Sequence, residues 1–273
     1  MKVAFWSNVN GKCSTTANTI ALSVMQALEC NQKVVVFENH AGLCGLDSAF
    51  IHNSRGMGVV SENSYVYNNI GMESILRKMH KSFNDIDSIN NNVISFLNDR
   101  LLFIPGDSVT NEELFEYELN LVIEPLLKNL EQFADNVFVD TANNNNLSTK
   151  IILNEADIVV VNITQNQRVI EDFFENYSGI MHKAFFLVGN YEPYSRFDIT
   201  AIAKRYQINP DAIAAVPYNY EFRESLATGT VVDFIEKNHN CKKRDNNYYF
   251  MMQLRKSAIM LNNKIMLRGN GGR

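Results

Sequence analysis

Short apolar runs rich in β-branched residues recur along the chain and alternate with helical patterns. The clearest are Lys33–Glu38 (KVVVFE), Asn136–Asp140 (NVFVD) and Asp157–Asn162 (DIVVVN). Strands without polar alternation are typical of a sheet that is buried on both faces. Their alternation with helices predicts an α/β protein with a doubly wound, mostly parallel sheet flanked by helices. In such sheets ligands bind at the carboxyl ends of the strands, which is where functional residues are expected.

The same patterns predict seven strands and a set of helices. The strands are Val3–Trp6, Lys33–Glu38, Leu101–Ile104, Asn136–Asp140, Asp157–Asn162, Ala184–Gly189 and Ala214–Pro217. The helices are Thr15–Cys30, Asn111–Phe133, Ser148–Asn154, Gln165–Tyr177 and a C-terminal amphipathic helix over 245–267. Pro125 is expected to kink or divide the second helix. The polar stretch from Met57 to Asp99 is predicted to be an insertion or a mobile region.

Composition limits the classes of protein that fit. The 273 residues are 46% hydrophobic, enough for one large core, so we predict a single domain over 1–273. The net charge of −5 disfavours a protein that wraps nucleic acid, although a local basic patch stays open. The four cysteines have no metal-ligand spacing and are expected to be buried free thiols. Without a signal-peptide core or a membrane-length apolar run, a cytoplasmic location is expected.

The segment after the first strand has the parts of a phosphate-binding loop. It reads SNVNGKCSTT from Ser7 to Thr16 and leads into a helix. Main-chain N–H groups at a helix start favour an anion, a lysine adds charge, and a hydroxyl can ligate magnesium. The strict G-x-x-x-x-G-K-[ST] pattern would place glycine at Trp6 and a hydroxyl at Cys13, so the match is incomplete.

Several blocks, in order, resemble the ParA/MinD family of deviant Walker ATPases, whose loop reads K-G-G-V-G-K-T-T. The resemblance covers most of residues 1 to 235, and its last block is the most specific. The blocks after the loop are FVDT from Phe138, ADIVVV from Ala156, LVGN from Leu187, and VPYN from Val216 through Glu221-Phe222 to Gly229, Val232, Asp233 and Phe234. This resemblance implies a P-loop NTPase fold, with ATP and Mg²⁺ as cofactors and a nucleotide-linked homodimer.

The resemblance also implies roles for single residues. Lys12 would be the phosphate lysine, and Asp140 would hold the magnesium shell. Glu38 would do carboxylate work at the end of the second strand, where His40 replaces an acid of the family. The implied nucleotide contacts are Asn10, Gly11, Lys12, Cys13, Ser14, Thr15, Asn190 and Pro217, and the implied metal-side residues are Cys13, Ser14 and Asp140.

Two registers of the loop are open. In the first, Lys12 is the phosphate lysine, and the family's intermolecular lysine falls on Ser7. In the second, Ser14 takes the place of the last glycine, Thr15 and Thr16 begin the helix, and Lys12 is a loop residue. One lysine is lost in either register, which should weaken triphosphate binding or transition-state stabilisation.

The function that the resemblance implies is positioning of a partner by an ATP-binding protein. The expected partner belongs to a pilus or secretion machine or to a DNA partition complex, with a lean toward a pilus-localising TadZ/CpaE-like branch. The alternative is a pseudo-ATPase scaffold that no longer hydrolyses nucleotide. The C-terminal helix is expected to pack on the sheet. Its basic residues, Arg268 and Arg273 among them, leave peripheral membrane contact open as an alternative.

Overall fold

An eight-stranded sheet forms the centre of the computed structural model, which describes residues 1–40, 45–52, 70–82, 86–106 and 111–271. Its strand order is β3-β4-β2-β5-β1-β6-β7-β8. All neighbouring strands are parallel except β3 and β4, which are antiparallel. The strands are β1 (Lys2–Trp6), β2 (Val34–Glu38), β3 (Ile94–Phe96), β4 (Leu101–Phe103), β5 (Asn136–Asp140), β6 (Ile158–Ile163), β7 (Ala184–Tyr191) and β8 (Ile213–Pro217).

Helices cover both faces of the sheet. Within the described residues they are α1 (Thr15–Glu29), α2 (Leu46–Phe50), α3 (Met72–Met79), α4 (Ile86–Asn90), α5 (Glu112–Phe133), α6 (Leu147–Glu155), α7 (Gln167–Asn176), α8 (Ile199–Tyr206), α9 (Tyr220–Thr228), α10 (Val231–Asn238) and α11 (Tyr248–Gly271). Side chains alternate along each strand, so Val3 and Phe5 of β1 pack with α1, α10 and α11, while Ala4 and Trp6 pack with α3, α5 and α7. This double burial explains why the strands read as continuous apolar runs.

The predicted architecture is confirmed, including a strand at each of the seven predicted places. Pro125 does not divide its helix, because α5 runs unbroken from Glu112 to Phe133. The stretch from Met57 to Asp99, predicted to be an insertion or a mobile region, contains α3, α4 and β3 in its described part. Its remaining residues, 57–69 and 83–85, lie outside the described residues.

The C-terminal helix α11 is an integral part of the core, as predicted. Its buried residues face α1 and β8 and share one core cluster with the central strands. They include Met251, Leu254, Ala258, Leu261 and Ile265, which form the apolar stripe of this helix. Packing on the sheet therefore uses the apolar face that membrane contact would require. Among the described residues, no helix is both long and apolar enough to cross a membrane.

The described cysteines are free thiols, as expected. Cys13 is buried, whereas Cys30 and Cys241 are only half-buried, which corrects the expectation that all would be buried. Cys44 lies outside the described residues.

Candidate functional site

The turn between β1 and α1 has the backbone shape of an anion cradle. Gly11 has φ +68° and Ser14 has φ +56°, two left-handed conformations within four residues. Ser14 occupies the N-cap position of α1 but makes no side-chain capping bond. Its Oγ instead accepts a hydrogen bond of 2.7 Å from Nδ2 of Asn190. The first N–H groups of α1 are therefore left for a ligand or water to satisfy.

A cavity of about 760 Å³ opens in front of this turn, at the carboxyl ends of β1, β5, β7 and β8. Its lining brings together most of the residues implied by the resemblance. They are Asn10, Gly11, Lys12, Cys13, Ser14, Thr15, Asp140, Asn190 and Pro217. Glu38 is absent from this lining and lies behind His40, with its Oε2 4.0 Å from Nε2 of His40. The volume suits a ligand of nucleotide size.

The two loop residues after Gly11 point in different directions. Lys12 is exposed and lies three residues before the start of α1. Cys13 is 1% exposed, and burial raises the pKa of its thiol, which lies beside Ser7. Magnesium prefers oxygen ligands, so the hydroxyls of Ser14, Thr15 and Thr16 at the cavity wall suit it better than this thiol.

Opposite the turn, three ionisable side chains gather at the ends of β2 and β5. Glu38 and Asp140 are paired in register on neighbouring strands and are 4% and 1% exposed. Nε2 of His40 lies 3.4 Å from Oδ2 of Asp140, an oxygen that makes no hydrogen bond. Oε2 of Glu38 accepts a hydrogen bond of 3.0 Å from the main-chain N–H of Leu46.

Burial and mutual charge shift the pKa values of two members of this cluster. Burial, together with the charge of the neighbouring Asp140, raises the pKa of Glu38 to about 8 against the opposing effect of His40. For His40, burial alone would lower the pKa. The carboxylates of Asp140 and Glu38 outweigh it and raise the pKa to about 9. A positively charged imidazole beside the carboxylate of Asp140 is thus the favoured state of His40 near neutral pH.

Two buried asparagines, Asn18 and Asn162, hold the turn between β1 and α1 through hydrogen bonds, and the sequence analysis did not predict this network. Nδ2 of Asn18 donates to Oδ1 of Asn162 at 2.8 Å and to the carbonyl of Cys13 at 3.4 Å. Nδ2 of Asn162 donates to the carbonyls of Trp6 and Val160. The only signal for Asn162 is a polar residue at the end of the apolar run DIVVVN. The network ties β1, β6 and α1 to the loop.

Asn8 and Gly189 also hold the loop in place. Nδ2 of Asn8 donates to the carbonyl of Val169 and to Asp172 on α7, at 2.8 Å each. At Gly189, an added Cβ would lie 2.5 Å from the carbonyl oxygen of Cys13. Only glycine lets β7 approach the turn so closely, which is a packing reason for the glycine of the LVGN block.

Comparison with known proteins shows the fold. No protein-family model matches the sequence, and no curated protein matches it either. Among solved structures, a ParA family ATPase from Chlorobium tepidum is 13% identical, with a TM-score of 0.67 over 94% of this chain and 97% of that one. The septum site-determining protein MinD of Pyrococcus horikoshii, complexed with Mg-ADP, is 14% identical, with a TM-score of 0.66 over 98% of each chain.

A plasmid partition protein from Borrelia burgdorferi, bound to AMPPNP, is similar over 96% of this chain and 98% of its own. It is 15% identical and has a TM-score of 0.60. Near full-length coverage at this low identity means that the chains share an architecture rather than a detailed sequence. The fold of this chain is therefore that of a ParA/MinD-type P-loop ATPase.

Proposed function

We propose that this chain, which has the ParA/MinD-type fold, binds ATP with Mg²⁺ and acts as a nucleotide-dependent positioning protein. One observation carries the proposal. The uncapped start of α1 and the buried carboxylate of Asp140 face the same 760 Å³ cavity. The first favours phosphate oxygens, and the second favours the accompanying cation.

The residues present fit a magnesium-nucleotide complex. Hydroxyls of Ser14, Thr15 and Thr16 line the phosphate side, and the buried carboxylate of Asp140 lies on the acidic side. Magnesium would neutralise phosphate charge between these walls. Asn190, Pro217 and Arg223 also line the cavity and would hold the nucleoside.

The start of α1 at Thr15 supports the second loop register. In a phosphate loop the lysine belongs at the helix start, whereas Lys12 precedes α1 by three residues and is exposed. We assign Lys12 to the rim of the cavity, where its flexible side chain reaches a bound phosphate. Without a lysine at the helix start, slow hydrolysis is expected. The protein would then act mainly by staying bound to ATP for a long time.

The proposal places the protein in the cytoplasm as a homodimer that recruits a protein partner when it is loaded with ATP. The partner would belong to a pilus or secretion machine or to a DNA partition complex. Two of the similar structures are described as a plasmid partition protein and a septum site-determining protein, which supports positioning as the general role. The proposed function does not include membrane contact through α11, because the apolar stripe of this helix is buried in the core.

Thermal unfolding with and without millimolar Mg-ATP tests the proposal. A ligand present at about 100 times its Kd stabilises the native state by about 2.7 kcal/mol, which raises the Tm by roughly 5–11 °C. Lys12→Ala should reduce this shift, whereas Lys243→Ala, in an exposed loop, should leave it unchanged. Absence of any shift in the native chain would favour the alternative function, an interaction scaffold that has lost its nucleotide.

A further inference from the structure

A second cavity lies at the edge of the sheet, apart from the proposed nucleotide site. Its volume is about 380 Å³, and it shares no lining residue with the 760 Å³ cavity. β8 is the last strand in the sheet order, so no other described strand pairs with its outer side. The cavity lies there, between α8 on one face of the sheet and α11 on the other. Its volume is in the range of small-molecule sites.

The floor of this edge cavity is apolar. Ile208, Ile213 and Ala214 are buried residues of its lining. Ser257 is also buried there, and its Oγ donates a hydrogen bond of 2.7 Å to the carbonyl of Ala215. Because this hydroxyl donor is already used, a polar group placed on the floor would lose its bonds to water with little in exchange. The part of a ligand that enters the cavity is therefore expected to be apolar.

The rim of the edge cavity carries positive charge. Lys204 of α8 and Lys256 of α11 line it, and both side chains are exposed. None of the described lining residues is acidic. Neither lysine forms an ion pair within the described part of the chain. The two flanking helices thus offer unneutralised ammonium groups to an anion at the rim.

An apolar floor below a cationic rim fits a molecule that combines both characters. We propose that the edge cavity binds a small anionic amphiphile, a molecule with a hydrocarbon chain and one negatively charged head group. The chain packs on Ile208 and Ile213, and the head group contacts Lys204 and Lys256. The proposal does not depend on nucleotide binding.

Two other occupants fit the edge cavity less well. A symmetric contact with a second copy of this chain would bring two further lysines to the rim, and like charges oppose such a contact. An added peptide strand would need free main-chain groups on β8. Ile213, Ala214 and Ala215 are only 3%, 3% and 1% exposed, so the strand edge is already covered. Charge and burial therefore favour a small ligand.

Titration of the full chain with octanoate, followed by NMR of ¹³C-labelled methionine methyl groups, tests the site. Met260 lines the edge cavity, whereas Met252 lies on the same helix outside it and is 38% exposed. The Met260 resonance, assigned with Met260→Leu, should shift to saturation, and the Met252 resonance should stay in place. From hexanoate to octanoate the Kd should fall about three- to fourfold for each added CH₂ group. Octanol lacks the charge and should bind about fivefold more weakly than octanoate, or worse.

Removing the two rim charges tests the head-group contact. The double variant Lys204→Gln and Lys256→Gln should bind octanoate no more tightly than the native chain binds octanol. Lys237→Gln and Lys243→Gln, at two exposed lysines outside the cavity, form the matched control and should bind octanoate like the native chain. Circular dichroism of each variant verifies folding.

Several results would overturn the proposed amphiphile site. An unmoved Met260 resonance, equal affinity for octanoate and octanol, or an unchanged Kd in the double variant at Lys204 and Lys256 would each do so. Equal shifts of Met252 and Met260 would mean general adsorption to exposed apolar side chains. A Met260 resonance that shifts with protein concentration alone would identify a second copy of the chain as the occupant. A shift with an acidic, leucine-rich peptide but not with octanoate would identify a protein partner instead.

Discussion

Gly189→Ala tests whether the close approach of β7 to the loop shapes the site. The added Cβ would lie 2.5 Å from the carbonyl oxygen of Cys13, 2.9 Å from Nδ2 of Asn18 and 3.2 Å from Cβ of Ser14. Ordinary contact begins at about 3.5 Å, so the Cys13 carbonyl must move by about 1 Å. The obstacle is main chain rather than a flexible side chain, and rotamer changes cannot relieve it. Overpacking of this kind costs about 1–3 kcal/mol.

The expected Tm loss for Gly189→Ala is therefore roughly 2–12 °C, measured by calorimetry or dye fluorescence without ligand. Displacement of Cys13 and Ser14 should also reduce the additional Tm shift that Mg-ATP produces. Gly179→Ala is the matched control, because Gly179 is exposed and an added Cβ there meets nothing within 4 Å. A Gly189→Ala chain with the native Tm would refute the close approach, and a lowered Tm with an intact Mg-ATP shift would refute the link to the loop.

Three further predictions concern the framework of the site. Asn162→Ala removes the nearer acceptor of the buried Asn18 amide and should cost about 1–3 kcal/mol in urea unfolding. The cost should not add to that of Asn18→Ala in the double mutant, and additive costs would contradict the network. Phe138→Ala, at a fully buried position on β5, should cost about 3–5 kcal/mol, whereas Tyr194→Ala, 94% exposed, should stay within about 0.5 kcal/mol. Burial raises the pKa of Cys30 from 9.0 to about 11, so the folded state holds this proton more tightly than the unfolded state. The stability that this bound proton contributes is present below the unfolded pKa of 9.0 and is lost as the pH rises through about 11. Between these pH values the Tm of Cys30→Ala should therefore fall less steeply than the Tm of the native chain. Parallel Tm curves would refute the raised pKa of Cys30.

The fold was predictable because burial on both faces leaves a strong signal in the sequence. Strands such as β2 and β6 consist almost wholly of apolar residues, which few other environments require. The missed strand β3 has three residues, Ile94–Phe96, and none of them is fully buried. A short, half-exposed edge strand carries little apolar periodicity. Pro125 does not divide α5, because buried residues on both sides of it pack into the core and hold the helix together.

The residues that line the cavity were predictable from the sequence, but the detail of the loop was not. A small-residue loop between a strand and a helix identifies the place where an anion can bind, and the strand ends bring Asp140 and Asn190 to it. The loop register depends on where the helix begins, and the Gly-Lys pair at Gly11 drew attention to Lys12. The start of α1 is set by the left-handed conformation of Ser14 and by its bond to Asn190, a contact that spans 176 positions. Local sequence patterns cannot report such a contact.

The number of basic side chains free to act in the cavity affects how fast a bound nucleotide could be hydrolysed. Among the described residues that line it, the basic side chains are Lys12, His40 and Arg223. His40 is paired with the carboxylate of Asp140 at 3.4 Å, and the Arg223 guanidinium lies over the ring of Tyr218, 5.7 Å from its centre. Only Lys12 is left to follow charge that develops during phosphoryl transfer, and it is exposed on a loop. Preorganised charge is what accelerates that reaction, whereas main-chain N–H groups suffice to hold a phosphate. Under the proposed function, these charges would hold a nucleotide for a partner to sense rather than turn it over rapidly.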